Sequence, residues 1–325
     1  MPVKGITSIR QASGKLNFSK GGSTSIYLNP TASNSSDKHD GYSWERPKKT
    51  LAGIMAILEP WMEIWIRGPA TFQENFIIDE ENVIIHGMVQ AGSSSVEISP
   101  LSGVPVDLQA GYCELEGIAA VSTNANAIQV TGPGQKIHDC YAEVNSDGAS
   151  QCTAILLNDC DRISIGKNHL NGRYGLDTIG IRADGTLSAS VDGSIEENYF
   201  EGFGTVGTAG QGINFNNAQR FLACKNIFES CYNGIYCEVK ANALHSIFGN
   251  QFYSNASVDI CDMNPDQQDS GIYIQNNFFG YTGWYLDNNH DGIADIPVQC
   301  YYNVDYAPLA YPHYSGPSFI PRFVA

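Results

Sequence analysis

Oxygen-bearing side chains are concentrated in one stretch near the end of the chain, DNNHDGIADIP at residues 287–297. Its spacing follows the D-x-N-x-D-G pattern of calcium loops, in which a glycine, here Gly292, makes the sharp turn. The bidentate glutamate of an EF-hand is missing at position 12, because Val298 stands there. The stretch therefore predicts either a calcium site or a metal-free cluster of Asx turns, and the residues leave both open. The candidate ligands are Asp287, Asn289, Asp291, Asp295 and the backbone carbonyl of Ile293.

A second set of acidic residues is of the type that catalyses glycan cleavage in enzymes. Glycoside hydrolases need two carboxylates about 5 to 9.5 Å apart, and lyases need a base beside a group that neutralises the substrate carboxylate. The alternative is that these side chains only solvate the turns of an acidic protein. The weak catalytic candidates are Asp159, Asp161, Asp177, Asp184 and Glu196.

The charge balance excludes several classes of partner. The 325 residues include 34 acidic and 18 basic side chains, for a formal net charge of −16. Such a surface repels phosphate backbones and anionic lipid, so we expect neither a nucleic-acid nor a membrane partner. No apolar run is long enough to span a bilayer, and the first residues lack the apolar core of a secretory signal. These features favour a protein made in a cytosol.

The nine cysteines are odd in number and include no CxxC pair, which argues against a cysteine-bound zinc site. We predict that they are mainly small buried apolar residues. The alternative is one or two disulfides, for which Cys152–Cys160 and Cys231–Cys237 are the nearest pairs.

Two short patterns alternate between about residues 80 and 280. The first is a glycine or alanine followed by isoleucine, at intervals of 27, 26, 32 and 22 residues: Ile128, Ile155, Ile181, Ile213 and Ile235. The second is an asparagine that precedes a short apolar segment, at intervals of 30, 28, 24 and 27 residues: Asn168, Asn198, Asn226, Asn250 and Asn277.

A period near 27 residues with strand-like segments predicts a parallel β-helix. Each strand is too short to be stable alone and buries its apolar side chain only by stacking on the next coil, about 4.8 Å away. The asparagine suits a corner, since it tolerates left-handed backbone and its amide bonds to the asparagine one coil on. We therefore predict an all-β chain that forms a single right-handed parallel β-helix of about eight coils.

The segment IYLNPTASNSSDKHDGYSWERPKKTLAGIMAIL, residues 26–58, precedes the coils. In it Leu51, Ile54, Met55 and Leu58 follow helical spacing, which predicts an amphipathic helix that caps the open end of the stack. Together with the repeats, this segment resembles the right-handed β-helix superfamily of pectate lyases and phage tailspikes, over about residues 25–297. The closing loop is also similar to that of periplasmic copper-processing β-helix proteins. The resemblance implies the fold and is much less specific for activity.

Four regions follow from these patterns. They are an N-terminal arm (1–25), an opening segment with the capping helix (26–82), the β-helix coils (83–286), and an acidic closing loop with an extended Tyr/Pro-rich C-terminal arm (287–325).

Strand alternation places the residue after each corner asparagine, or after its upstream equivalent, on the outer surface. Stacking the coils aligns Tyr141, His169 and Tyr199 as an exposed aromatic column. Sugar rings stack on such columns, so carbohydrate binding is one prediction. Contact with a neighbouring subunit and simple shape-filling are the alternatives.

The two arms around an acidic rod, the missing signal and the lack of a recognised catalytic motif favour a non-enzymatic structural or attachment protein. The resemblance makes a phage virion component the first interpretation, either a head decoration or a tailspike-like appendage. It would be made in the host cytoplasm and assemble as a trimer with other virion proteins. The alternatives are a polysaccharide lyase or glycoside hydrolase that acts on a host glycan, and a secreted, extracellular carbohydrate-binding protein.

Overall fold

The computed structural model describes residues 10–12, 15–17, 24–88, 95–185, 190–204, 210–237, 244–262, 273–275, 277–279, 300–301 and 304–305. Among these residues, no helix is both long and apolar enough to cross a membrane.

The described elements are one short helix and 31 strands. Before the coils lie β1 (Arg10–Ala12), β2 (Lys15–Asn17), β3 (Thr24–Leu28) and α1 (Leu51–Met55). The first four coils contain β4 (Met62–Arg67), β5 (Ala70–Phe72), β6 (Phe76–Ile78), β7 (Ile84–Met88), β8 (Val96–Ile98), β9 (Val106–Leu108), β10 (Glu114–Glu116), β11 (Ile118–Thr123), β12 (Ile128–Val130), β13 (Lys136–His138), β14 (Tyr141–Asn145) and β15 (Asp147–Asn158). The next four contain β16 (Asp161–Gly166), β17 (His169–Asn171), β18 (Leu176–Asp184), β19 (Ser190–Glu196), β20 (Tyr199–Glu201), β21 (Gln211–Phe215), β22 (Ala218–Cys224), β23 (Ile227–Glu229), β24 (Asn233–Cys237), β25 (Ser246–Phe248), β26 (Gln251–Tyr253) and β27 (Val258–Asp262). Beyond them lie β28 (Tyr273–Gln275), β29 (Phe278–Phe279), β30 (Cys300–Tyr301) and β31 (Val304–Asp305).

Successive strands enter three parallel sheets in turn. The first sheet has the order β3-β4-β7-β10-β13-β16-β19-β22-β25-β28-β30, the second runs from β5 to β31, and the third runs from β6 to β27. Each of the eight coils from β4 to β27 contributes one strand to each sheet. The predicted right-handed parallel β-helix of about eight coils is confirmed. The stack also extends on both sides of the predicted range 83–286, because β4 lies before it and β30 and β31 lie after it.

The core consists of in-register apolar columns, one per sheet. In the third sheet, Ile128 pairs with Ile155, and the same column continues through Ile181 to Ile213 and Ile235. All five side chains are fully buried, as the repeat of isoleucine predicted. Complete burial of one such side chain contributes about 2 kcal/mol, so the stack gains stability with each coil.

A stack of aromatic rings fills the inner face of the second sheet. The ring centroids of Phe200 and Phe228 lie 4.6 Å apart, and those of Phe228 and Phe252 lie 4.9 Å apart, with the planes within 13° of parallel. All three side chains are completely buried. Parallel strand pairing in strict register makes this stacking unavoidable once the same position carries phenylalanine in successive coils.

The corner between the first and second sheets is held by a buried ladder of asparagines. The Nδ2 of Asn168 donates to Oδ1 of Asn198 (2.9 Å), and the Nδ2 of Asn198 donates to Oδ1 of Asn226 (3.1 Å). The same Oδ1 of Asn198 also accepts the backbone N–H of Asn168 at 3.0 Å, and the ladder continues through Asn250 to Asn277. The predicted coil-to-coil amide bonds are therefore present.

The backbone at this corner differs from the prediction in one respect. The left-handed residue is the one before each asparagine, not the asparagine: φ is 57° at Lys167, 59° at Glu197 and 55° at Lys225. The asparagine itself keeps ordinary backbone and places its amide inside the corner, where it bonds to the backbone. The exposed residue before it absorbs the strain of the turn.

The predicted capping helix is present but short. The hydroxyl of Thr50 caps it by accepting the N–H of Gly53 at 3.0 Å. Leu51 and Ile54 are fully buried against the end of the stack, and Leu58 continues the apolar stripe beyond the last helical residue, Met55.

The eight cysteines whose side chains the structure describes are all buried, as predicted. Burial raises the pKa of the Cys140, Cys160 and Cys231 thiols to about 12. Cys152 is likewise a buried thiol with a raised pKa, so the alternative of a Cys152–Cys160 disulfide is not realised.

The ladder predicts a large stability loss on a single change. Asn198→Ala removes the acceptor of two buried N–H groups on Asn168 and the donor to the carbonyls of Ile165 and Glu196. We expect the free energy of unfolding to fall by about 3 kcal/mol, since several buried polar groups lose their partners. Urea unfolding measures the loss, with the exposed strand residue Asn145→Ala as the control. Equal, small losses in both variants would refute the importance of the ladder.

A buried histidine predicts how stability changes with pH. The Nδ1 of His245 accepts the N–H of Phe221 at 3.2 Å, its ring stacks on Phe215, and burial lowers its pKa to about 3. An unfolded histidine titrates near 6.5, so the contribution is present above that pH and is lost as pH falls from there toward 3. Between pH 7 and pH 5, we expect the free energy of unfolding of wild type to fall by about 2 kcal/mol more than that of His245→Gln. Urea unfolding at both pH values checks this. Parallel pH profiles of the two proteins would contradict it.

Candidate functional site

The outer surface of the second sheet, which we call the lateral face, carries the predicted aromatic column. Tyr141 on β14 pairs with His169 on β17, which in turn pairs with Tyr199 on β20. The ring centroids of Tyr141 and His169 lie 5.2 Å apart, and those of His169 and Tyr199 lie 4.9 Å apart. Successive rings meet edge to face, at 87° and 61°, and all three side chains are half-buried. The structure therefore brings the three predicted residues together.

A column of polar side chains runs beside the rings, two residues further along each strand. Glu143 pairs with Asn171, and the column continues through Glu201 to Glu229. Sequence reasoning missed these residues, although a signal for them exists. The segments YAE, YFE and IFE each place a glutamate two positions after a column residue, on the same face of the strand.

The two columns are joined by hydrogen bonds. The hydroxyl of Tyr141 donates to Glu143, and that of Tyr199 donates to Glu229, which belongs to the next coil. The Nε2 of His169 lies 3.1 Å from a carboxylate oxygen of Glu201. These contacts orient each ring, and they hold the carboxylates of Glu201 and Glu229 at the surface and that of Glu143 in a buried position.

The turn after β17 completes the lateral face. The Nε of Arg173 donates to Glu143 at 2.8 Å, although the Arg173 side chain remains 60% exposed. The next residue, Tyr174, is 55% exposed. Its ring passes over Gly202, where a Cβ atom would lie 3.3 Å from the ring. Tyr174 therefore extends the aromatic surface at one edge.

Burial and the adjacent carboxylate both favour the protonated form of the two phenols. Burial first, and then the hydrogen bond to Glu143, raise the pKa of Tyr141. Burial and the bond to Glu229 raise the pKa of Tyr199 in the same way. Neither phenol is available as a base near neutral pH, and both act as hydrogen-bond donors.

The predicted catalytic carboxylates lie at more than one place on the stack. Asp177 and Asp184 lie on the same strand, β18, seven residues and therefore roughly 23 Å apart along an extended chain. Asp184 is engaged by Arg182 at 2.8 Å and by the amide of Asn216 at 2.9 Å.

Asp159 lies beside Asp184, because its backbone N–H donates to the carbonyl oxygen of Asp184 at 3.1 Å. Asp159 and Asp161 occupy the corner between β15 and β16, and Glu196 lies at the end of β19 in the first sheet. Asp161 pairs with Val191, five residues before Glu196 on that strand. All five predicted calcium ligands, Asp287, Asn289, Asp291, Ile293 and Asp295, lie outside the described residues, so calcium stays a prediction.

Comparison with known proteins identifies the fold. No family model and no curated protein sequence matches the chain. Among solved structures, an alginate lyase from Paenibacillus sp. str. FPU-7 superposes with a TM-score of 0.59 at 15% identity, covering 79% of this chain and 93% of its own. A rhamnogalacturonan lyase matches with a TM-score of 0.46 at 12% identity over 87% of each chain. The Dettilon tailspike protein matches with a TM-score of 0.35 at 13% identity, over 86% of this chain and 68% of its own.

The chain has a parallel β-helix fold like that of the alginate lyase. At 15% identity this similarity establishes the fold alone and leaves the activity to be argued from the site. The candidate site from which we argue the activity is the lateral face.

The carboxylate contacts on the lateral face predict the titration of its phenols. Tyr199 is expected to remain protonated at the pH of about 10 at which an ordinary tyrosine titrates, because burial raises its pKa and because ionisation would place a phenolate beside Glu229. In Glu229→Gln this repulsion disappears, and the Tyr199 pKa falls. NMR of ¹³Cζ-labelled tyrosine measures both values, with Glu197→Gln on the first sheet as the control. A Tyr199 signal that titrates identically in all three proteins would refute the contact.

Proposed function

We propose that this protein is a non-enzymatic attachment protein that binds a glycan on its lateral face. The observation that carries the proposal is the in-register column of Tyr141, His169 and Tyr199, half-exposed and flanked by hydrogen-bonding carboxylates. The setting that we propose is the virion of a phage, where the β-helix serves as a structural appendage.

Aromatic rings and aligned polar groups are the chemistry that recognises sugars. The C–H faces of a pyranose pack on aromatic side chains, and its hydroxyl groups bond to carboxylates, amides and guanidinium groups beside them. The lateral face offers all of these, with Asn171 and Arg173 next to the rings. The coil spacing of about 4.8 Å is close to the length of one sugar unit, which favours a chain lying along the rod.

The charge of the lateral face selects the kind of glycan. Glu201 and Glu229 supply two carboxylates at the surface, and the cation of Arg173 is already bonded to the buried Glu143. A uronate or sialate would meet this negative potential within a chain whose net charge is −16. We therefore propose a neutral glycan, or one that carries amino groups.

The side-chain chemistry supports binding over cleavage. The phenols of Tyr141 and Tyr199 stay protonated near neutral pH, so neither abstracts a proton. Their hydroxyls donate hydrogen bonds to Glu143 and Glu229, so these two carboxylates serve to hold the rings in position.

Buried thiols support production in a reducing compartment. The eight cysteines whose side chains are described are buried thiols, not disulfides. Thiols suit a protein that folds in a cytosol before assembly. The Tyr/Pro-rich segment after Cys300 supplies apolar side chains for contacts with other copies or other virion proteins.

Binding to a panel of neutral glycans tests the proposal. Tyr199→Ala and His169→Ala each remove one ring of the column, and we expect each to weaken binding of the selected glycan at least tenfold, a loss of about 1.4 kcal/mol. Tyr112→Ala is the matched control, since Tyr112 is exposed but stacks with Arg162 away from the column. Isothermal titration calorimetry gives the affinities. Equal affinity in all four proteins would refute the lateral face as the binding site.

A glycan-cleaving enzyme is the second candidate, because His169 and Glu201 form a hydrogen-bonded acid–base pair on the same face. The test is release of reducing or unsaturated ends from the glycans that bind. An enzyme would release them in wild type and lose turnover in His169→Gln while retaining most of its affinity. Binding without release of ends would exclude this candidate and leave attachment.

A further inference from the structure

The outer surface of the first sheet carries a second column that neither the fold nor the proposed glycan site uses. Trp65, His86, Glu116 and His138 lie in register on β4, β7, β10 and β13. The rings of Trp65 and His86 stack, with centroids 4.1 Å apart. Asp139 follows His138 at the corner in left-handed backbone, with φ of 53°. Three groups that bind metal ions therefore meet where β10 and β13 end.

The distances fit one ion. One ligand atom from each of Glu116, His138 and Asp139 lies within 4.8 Å of the other two. Two ligands of a tetrahedral zinc-class ion lie about 3.4 Å apart, since each sits about 2.0 to 2.2 Å from the metal. Side-chain rotations of roughly 1 Å bring the three ligand atoms to that spacing. Glu116 and Asp139 are 40% and 53% exposed, so water has access to the remaining coordination positions.

Two neighbouring side chains already orient the ligands. The Nε2 of His138 lies 2.8 Å from a carboxylate oxygen of Glu114, which also accepts from Nζ of Lys136 at 2.7 Å. The other ring nitrogen, Nδ1, faces Asp139 at 2.7 Å. With Nε2 held by Glu114, Nδ1 is the nitrogen that is placed to share a metal ion with Asp139. On the other side, the Nδ1 of His86 lies 2.7 Å from Oε2 of Glu116. A histidine held by a carboxylate and a carboxylate held by a histidine are the usual outer partners of metal ligands.

The cluster needs a positive charge between His138 and Asp139. The Nδ1 lone pair of a neutral His138 would face a carboxylate oxygen at 2.7 Å, which is repulsive. A proton on Nδ1 relieves this, and so does a divalent cation that Nδ1, Asp139 and Glu116 share. The cation also neutralises two carboxylates, whereas Glu114 is already paired with Lys136.

We propose that Glu116, His138 and Asp139 bind a divalent transition-metal ion of the zinc class, with Glu114 and His86 as positioning residues. One imidazole and two carboxylates form a ligand set of mixed hardness, which suits Zn²⁺, Co²⁺ or Mn²⁺ better than Ca²⁺, a cation that prefers oxygen ligands only. The ligands lie on the first sheet and at the corner that follows it, and the site does not depend on the glycan proposal.

Titration of untagged full-length protein with Zn²⁺, followed by calorimetry, tests the proposal. Cobalt absorption spectra give the coordination directly. We expect one equivalent of tightly bound metal. His138→Gln and Asp139→Asn should each weaken binding at least tenfold, and His86→Gln and Glu114→Gln should weaken it by roughly 10- to 100-fold, as changes in outer partners do. All of these side chains lie on the outer surface, and circular dichroism with thermal melting confirms that the variants fold.

Two controls separate this site from general binding to an acidic surface. His169→Gln removes another histidine–glutamate pair, on the lateral face, that lacks a third ligand, and Glu197→Gln removes an exposed carboxylate that pairs with Lys225. Both should bind Zn²⁺ as wild type does. The proposal is overturned if wild type shows no saturable binding. A proton on Nδ1 of His138 would then account for its contact with Asp139. It is equally overturned if His138→Gln and Asp139→Asn bind as tightly as the controls.

Discussion

The buried asparagine ladder is the interaction on which the rest of the structure depends. From Asn198 to Asn277, each Oδ1 accepts two N–H groups from the preceding coil, and each Nδ2 in the ladder donates to a backbone carbonyl, as Asn226 does to Ile195 at 2.8 Å. These bonds satisfy corner groups that would otherwise be buried without partners. Because one asparagine can bond correctly to the next only at a fixed offset, the ladder sets the register of the second-sheet strands that follow it, from β17 to β29.

Strict register determines where chemistry can occur on the surface. A side chain that points outward lies about 4.8 Å from its equivalents in the coils on either side, so residues far apart in sequence form continuous columns. The lateral face joins Tyr141, His169 and Tyr199 in this way, and the first sheet joins His86, Glu116 and His138. The rigid stack fixes the backbone of both sites before any ligand arrives, which lowers the entropy cost of binding.

The sequence predicted the elements that repeat and missed those that do not. The isoleucine and asparagine intervals, the stripe at Leu51 and Ile54, and the Tyr141 column all follow from a fixed residue type or a fixed place after a corner. The His86, Glu116 and His138 column has no shared residue type, and its coils differ in length because loops of unequal size join the strands. Aligning it needs the pairing register, which only the folded chain supplies. The catalytic candidates, such as Asp177 and Glu196, were predicted from residue type alone, because the sequence does not give the register that would show which of them lie together.

Hydrogen exchange of the corner amides tests most directly the claim that one ladder holds the coils in register. The backbone N–H groups of Cys140, Asn168, Asn198 and Asn226 donate to buried asparagine oxygens. The account predicts that all four exchange slowly and with a common free energy equal to that of global unfolding. Exchange of these amides at unequal rates, or as fast as the solvent-exposed loops, would contradict it.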